Sequence, residues 1–239
     1  MPTEPLSHPS VITCTIMATL VWAIILWVGF TATRKMTTVP RGLQNFVEAS
    51  YVFLRDLYMG LLGPKGARHL PVVITLFWFI LISNLISVTP LRAPTANLST
   101  SLGLALFVFM YVQYWAIRSK GVLGYLKHFL GPMIWLAPIF LIVEVVGLFA
   151  QPLSLAMRLF GNIYGEDYIA YVVYHVSPYF PAQVLVYGLI TFTGILQAFI
   201  FTMLTSAYIG IATHNEHDDD HEANDQAHRS EDAAFVPAA

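Results

Sequence analysis

Charged side chains are scarce in this sequence, since Asp, Glu, Lys and Arg make up only 11% of its 239 residues, whereas 56% of the residues are hydrophobic. This balance excludes an ordinary soluble domain, in which about a quarter of the residues are charged. Several apolar segments reach the roughly 20 residues that a helix needs to cross a bilayer core of about 30 Å. The sequence therefore predicts an all-α, polytopic membrane protein with about five long membrane-embedded helices.

The sequence has only one cysteine, and it lacks internal repeats and an N-terminal basic region. Cys14 is the single cysteine, so an intrachain disulfide and a cysteine-based metal site are excluded. No internal repeat is visible, which argues against folds that need two symmetric halves. No Lys or Arg precedes the apolar run at residues 11–30, and no small-residue cleavage pattern precedes Arg34. We interpret this run as a retained transmembrane helix, not a signal peptide.

Apolar periodicity and turn residues predict the order of the elements. A segment over about residues 41–62 is amphipathic, and we expect it to lie along the membrane interface or to pack as a short helix on a partner. The boundaries divide the chain into an N-terminal segment (1–10), a membrane domain (11–213) and a tail (214–239). After the amphipathic segment we expect a turn at 63–66 and two spanning helices at about 69–89 and 98–117. A loop follows, with Arg118, Lys120 and Lys127. The last element is a helical hairpin over about 134–213, with bends at Pro138 and Pro152 and a turn at 177–181.

Basic residues are concentrated after the first and third predicted spanning helices, and only Arg92 follows the second. By the positive-inside rule this distribution predicts an external N-terminus and a cytoplasmic C-terminus. The tail is acidic and rich in histidine, without periodicity, so we expect it to be disordered. The alternative to a disordered tail is a metal site formed by its His and Asp residues. We predict no metal site and no cofactor.

One cation interrupts the longest apolar run. Arg158 is the only Lys or Arg between Lys127 and Arg229. A charge at membrane depth costs a few kcal/mol or more, so such a residue indicates an ion pathway. At about 100° per residue, Glu144 and Gln151 recur on the same helix face as the arginine. Ser154 and Asn162 flank the arginine one turn away.

The carboxylates on this segment allow more than one arrangement. Glu144 and Arg158 are separated by roughly 21 Å along a helix axis, too far for an ion pair unless the helix breaks at Pro152. Glu144 and either Glu166 or Asp167 could line two aqueous paths that end near the arginine, or could share one path. Alternatively, these groups pair with neighbouring helices and only fix the packing. In the last helix, Gln197 could hydrogen-bond the guanidinium. The alternative is that this lone glutamine only joins neighbouring helices, but the cation expected nearby favours the first interpretation.

Three separated motifs resemble the a subunit of F-type ATP synthases. They are PTAN at residues 94–97, PLSLAMRLFGN at residues 152–162 and QAFIF at residues 197–201, in the order in which the family has them. The resemblance implies a non-catalytic subunit in a bacterial inner membrane, where it is the stator of a rotary motor and forms two half-channels for protons, or for sodium ions in some members. The implied partners are the c-subunit ring, the b-subunit peripheral stalk, the rest of the ATP synthase complex and the lipid bilayer, with no nucleic acid.

The resemblance also implies roles for individual residues. Arg158 is the essential stator arginine, which separates the half-channels and promotes deprotonation of the ring carboxylate. Two positions depart from the family pattern, because Ile190 replaces a histidine that some members carry and Gly194 is not titratable. The matching polar positions are Ser154, Asn162 and Gln197, the preceding acid is Glu144, the following acid is Asp167 or the adjacent Glu166, and Asn97 or His175 assists.

Two other classes of membrane protein compete with this interpretation. A secondary transporter that binds an anionic substrate at Arg158 is the main alternative, although it predicts repeats that are not visible. A haem-binding subunit needs paired axial histidines at membrane depth. None of the eight histidines forms such a pair in the predicted helices.

Overall fold

A computed structural model describes residues 11–34, 41–88, 93–130, 137–176 and 180–213, and these ranges contain helices and short connections but no strand. Five of the helices are long and apolar enough to cross a membrane, which confirms the all-α, polytopic prediction. The predicted N-terminal segment, the start of the turn at 177–181 and the tail with its alternative metal site lie outside these ranges. The helices are α1 (Val11–Thr33), α2 (Leu43–Leu62), α3 (Leu70–Ile86), α4 (Leu98–Leu130), α5 (Ala137–Val176) and α6 (Phe180–Thr213), with 3-10 helices at Pro64–His69 and Pro94–Ala96.

The predicted loop after residue 117 is wrong, because α4 continues as a helix through the basic residues there to Leu130. The chain bends within this helix at Gly121, whose φ of 71° lies in the left-handed region that glycine adopts without steric cost. Lys and Arg are good helix formers, so charge alone did not end the helix. The predicted turn at 63–66 is a 3-10 helix, Pro64–His69, that leads directly into α3.

The helix that carries Arg158 is unusually long. Helix α5 has 40 residues and continues through Pro152, while Pro138 lies in its first turn, where proline is tolerated. At 1.5 Å per residue it measures about 60 Å, roughly twice the thickness of a bilayer core. A helix of this length has to run obliquely or leave the hydrocarbon layer at an end.

Helices α3 and α6 form the centre of the bundle. Helix α6 packs against α2, α3, α4 and α5, and α3 places Val73, Phe77 and Ile80 in the core. Helices α1 and α5 lie outside this centre, with only 11% of their apolar spans buried. Their long exposed apolar faces are suited to lipid or to another membrane subunit.

Helix α2 confirms the amphipathic prediction, because Leu54, Tyr58 and Leu62 form a buried stripe at four-residue spacing. Its interfacial position stays a prediction. The Tyr58 hydroxyl lies 2.6 Å from Thr202 Oγ1 and joins α2 to α6. Burial raises the pKa of Tyr58 to about 12, so the hydroxyl stays protonated at physiological pH.

We expect Gly210→Ala to destabilise the bundle. A Cβ at Gly210 would overlap the Leu61 carbonyl oxygen and contact the Leu61 carbonyl carbon at 3.4 Å, and these backbone atoms cannot rotate away. Overpacking of this kind costs about 1–3 kcal/mol, so the midpoint of thermal unfolding of the purified protein should fall. Gly188→Ala on the same helix is the control, because a Cβ there meets nothing within 4 Å. Equal midpoints for the two variants would contradict the close approach of α2 and α6.

Candidate functional site

Arg158 lies on the exposed side of α5. A buried stripe that includes Leu155, Leu159 and Ile163 lies about 60–140° around the helix from the arginine and faces the bundle. Ser154, one turn earlier, shares the exposed side with the arginine. Within the described part of the chain, no hydrogen bond or ion pair engages the Arg158 guanidinium. Its five N–H donors therefore face outward, where a second chain can reach them.

The surface around Arg158 is apolar. Phe149, Leu153 and Met157 have exposed fractions of 70%, 57% and 52% and precede the arginine along the helix. A permanent cation facing lipid on such a surface would cost several kcal/mol. An apolar partner that presents a carboxylate at this depth would cover the surface and neutralise the charge.

Glu166 is buried and lies about 80° around the helix from the exposed arginine. Its side chain is 7% exposed, and Asn162 Nδ2 donates a hydrogen bond of 2.9 Å to its Oε1. The two residues line a pocket of about 180 Å³ between α5 and α6, enough for several water molecules. The remaining lining residues are Gly161, Gly165, Ile169, Val186, Leu189, Ile190 and Thr193.

The carboxylates of α5 are well separated. Because α5 is continuous through Pro152, Glu144 stays roughly 21 Å before Arg158 along the axis, and Glu166 lies roughly 12 Å beyond it. Glu144 is partly buried, and Asp167 is exposed although it follows the buried Glu166 directly. Successive helix residues differ by about 100°, so Glu166 enters the pocket and Asp167 points elsewhere.

Gln197 is buried in α6, with an exposed fraction of 4%. The bond to Arg158 suggested by the sequence is absent between these two described residues, and Gln197 Nε2 has no partner in the part of the chain that the structure describes. An unsatisfied buried amide costs about 1–3 kcal/mol, so this donor calls for a partner outside the described residues or for water.

Asn97 and His175 make local contacts. Asn97 Oδ1 accepts a hydrogen bond of 3.0 Å from the backbone N–H of Ser99 and so caps the N-terminus of α4. His175 is exposed, and its Nδ1 lies 2.9 Å from the carbonyl oxygen of Tyr171. The structure does not place either residue in the pocket at Glu166.

A buried polar group on α3 was missed by the sequence analysis. Asn84 Nδ2 donates to the Gly194 carbonyl at 3.0 Å, and Thr95 Oγ1 donates to Asn84 Oδ1 at 3.4 Å. A Cβ at Gly194 would lie 3.1 Å from Asn84 Cβ, so this position is small because α3 and α6 approach closely. Gly194 is adjacent to Thr193 of the pocket. The available signal was that Asn84 is the single amide in the apolar run of α3.

The described residues contain five candidate membrane spans, and one of these helices carries both a fixed cation on an exposed apolar face and a buried carboxylate. These are features of the class of ion-translocating membrane proteins. Comparison with family models matches residues 14–210 to the ATP synthase A chain family. Three similar bacterial proteins each carry the name ATP synthase subunit a. Subunit a 1 of Syntrophotalea carbinolica is 40% identical over 216 residues, which cover 90% of this chain and 91% of that protein.

The other two have similar identities. The protein of Solidesulfovibrio magneticus is 40% identical over 198 residues, 81% of each chain, and that of Oleidesulfovibrio alaskensis is 41% identical over 190 residues, 79% of this chain and 81% of the relative. This chain belongs to the ATP synthase A chain family. It is a multi-pass, ion-translocating component of the membrane sector of ATP synthase and is not itself an enzyme.

Proposed function

We propose that this chain conducts protons along two half-channels to the carboxylates of a c-subunit ring, with Arg158 as the fixed charge that separates the half-channels. The observation that carries the proposal is the position of Arg158, which is exposed on an apolar membrane-spanning surface and unpaired within the described residues. A ring subunit with an apolar surface and one carboxylate is the partner that fits this surface. The guanidinium keeps its charge at any physiological pH and cannot relay protons itself.

The two paths approach Arg158 from opposite ends of α5. We take the N-terminus to be outside, and alternation of the five candidate spans then assigns the start of α5 to the cytoplasmic side and the start of α6 to the external side in this proposal. Glu144 then belongs to the cytoplasmic path and Glu166 with Asn162 to the external path. We assign Ser154 to the surface that meets the ring, and Gln197 to the region between the paths. Asn97 lines the external entrance in this proposal, and the exposed Asp167 lies at the surface near it, outside the pocket.

The membrane location and the partner subunits follow from the proposed role in ATP synthase. The bacterial relatives support a plasma (inner) membrane location, with the C-terminus in the cytoplasm. The b-subunit peripheral stalk would hold the chain stationary while the ring turns. The exposed faces of α1 and α5 are the surfaces available to the stalk and to the ring.

The pocket favours protons over sodium ions as the coupling ion. Selective conduction of a metal cation requires several oxygen atoms that replace its hydration shell. The pocket offers side-chain oxygens from Asn162, Glu166 and Thr193 only, among mainly apolar lining residues. A single carboxylate with water is sufficient to relay protons.

The coupling ion can be tested with the intact complex in lipid vesicles. We expect the rate of ATP synthesis at a fixed proton gradient to be independent of the sodium concentration, because protons are the transported ion. A protonophore that collapses the gradient should stop synthesis at every sodium concentration. Synthesis that persists with the protonophore and rises to saturation with sodium would contradict the proposal.

A further inference from the structure

Three candidate spans end at one membrane boundary. One span begins at Gly66 before α3, one ends at Ser119 in α4, and one ends at Thr213 in α6. Ser119 Oγ donates a hydrogen bond of 3.2 Å to the Thr213 carbonyl, which fixes α4 and α6 at the same level. Arg68 and Arg118 lie at this boundary and are both exposed.

The two arginines converge on one indole ring. The Cζ atom of Arg68 lies 5.1 Å from the centre of the Trp115 ring, and that of Arg118 lies 5.9 Å from it. Both distances are within the range of cation–π contacts. Two permanent positive charges are thus held beside one partly buried aromatic side chain, outside the pathway residues of α5 and α6.

The Trp115 ring also packs against a buried histidine. The His69 ring packs edge-on against it, with centres 4.8 Å apart and an angle of 79°. His69 is 1% exposed, and its Nδ1 lies 2.9 Å from the Tyr111 hydroxyl. Because His69 adjoins Arg68 in the chain, this buried contact also fixes the backbone next to the arginine. The indole and the two guanidinium groups form a preorganised surface.

We propose that Arg68, Arg118 and Trp115 bind the phosphodiester head group of an anionic phospholipid. Guanidinium groups match phosphate oxygens in a forked, charge-assisted geometry, and tryptophan is the side chain typical of the head-group level. Each basic residue at a membrane surface raises the affinity for anionic lipids by about fivefold. Free phosphate shares this chemistry, but the position at the ends of three spans favours a lipid.

The site can be tested with the purified full-length chain in nanodiscs of phosphatidylglycerol and phosphatidylcholine in equal amounts, followed by native mass spectrometry of the retained lipids. We expect the wild-type chain to retain phosphatidylglycerol preferentially. Arg68→Gln and Arg118→Gln should each lower that retention by about fivefold, and the double variant should lower it further. Trp115→Leu should also lower it, because the arginines lose the ring that orients them.

Arg55→Gln is the matched control, because Arg55 is an exposed arginine of α2 whose Nη2 pairs with Asp56 Oδ1 at 2.9 Å. Its loss should leave lipid retention within about twofold of the wild-type chain. Unchanged retention in the double variant would overturn the proposal. An equal loss in Arg55→Gln would do the same, since it would indicate attraction by overall charge. Displacement of the lipid by inorganic phosphate at constant ionic strength would assign the site to a free anion and overturn the lipid assignment.

Discussion

We expect Arg158→Ala to abolish ATP synthesis driven by an imposed proton gradient in vesicles containing the assembled complex. At about 4 Å and an effective dielectric constant near 20, a guanidinium attracts a ring carboxylate by on the order of 4 kcal/mol before desolvation costs. This attraction is enough to lower the pKa of that carboxyl by roughly three units at most. Without it, the ring carboxyl keeps its proton as it passes the stator, and rotation is no longer coupled to ion flow.

Arg158→Lys should fail as well. Lysine restores a positive charge, but it lacks the forked set of donors and its pKa falls readily when it is desolvated. A role limited to packing would tolerate this substitution in part. Arg55→Ala, which removes an exposed arginine already paired with Asp56, should leave synthesis close to the wild-type rate. Coupled synthesis by assembled Arg158→Ala complexes would contradict the role proposed for this residue.

Glu166→Gln should lower ATP synthesis at least tenfold, because a positioned proton-transfer group contributes about 10²–10⁴-fold to a rate. The substitution keeps the size of the side chain and an oxygen that can accept the hydrogen bond from Asn162, so the pocket should keep its shape. What is lost is the group that takes up and releases a proton. The measurement is the initial rate of synthesis at a fixed gradient, normalised to the amount of assembled complex.

Asp167→Asn is the matched control for this prediction, because it makes the same chemical change at the adjacent position. Asp167 is exposed, whereas Glu166 lies in the pocket, so we expect a loss of no more than about twofold. Equal losses in the two variants would contradict the assignment of Glu166 to the external path. A larger loss in Asp167→Asn would transfer that assignment to Asp167.

The sequence was sufficient to find the helices and the arginine because both leave strong local signals. Long apolar runs identify spanning helices, and the cost of a charge at membrane depth makes Arg158 conspicuous in the sequence. The amphipathic pattern of α2 was equally clear, since its buried stripe follows helix periodicity.

Contacts between distant segments could not be predicted in this way. The choice between Glu166 and Asp167 depends on the side of α5 that α6 covers, and no local pattern records that packing. The close approach of Asn84 to Gly194 likewise depends on how α3 meets α6. The basic residues after residue 117 suggested a loop, whereas Gly121 allows α4 to bend and continue.

The most direct test of the central proposal is the passive proton permeability of vesicles in which the ring is cross-linked to the stator and cannot turn. With the wild-type chain, the Arg158 charge should keep the two half-channels separate, and an imposed proton gradient should persist. In Arg158→Ala a ring carboxyl can exchange protons with both paths without rotation, so the gradient should collapse. Adding Glu166→Gln to that variant should slow the leak. Equal permeability of the wild-type and Arg158→Ala complexes would contradict the proposal that this arginine separates the paths.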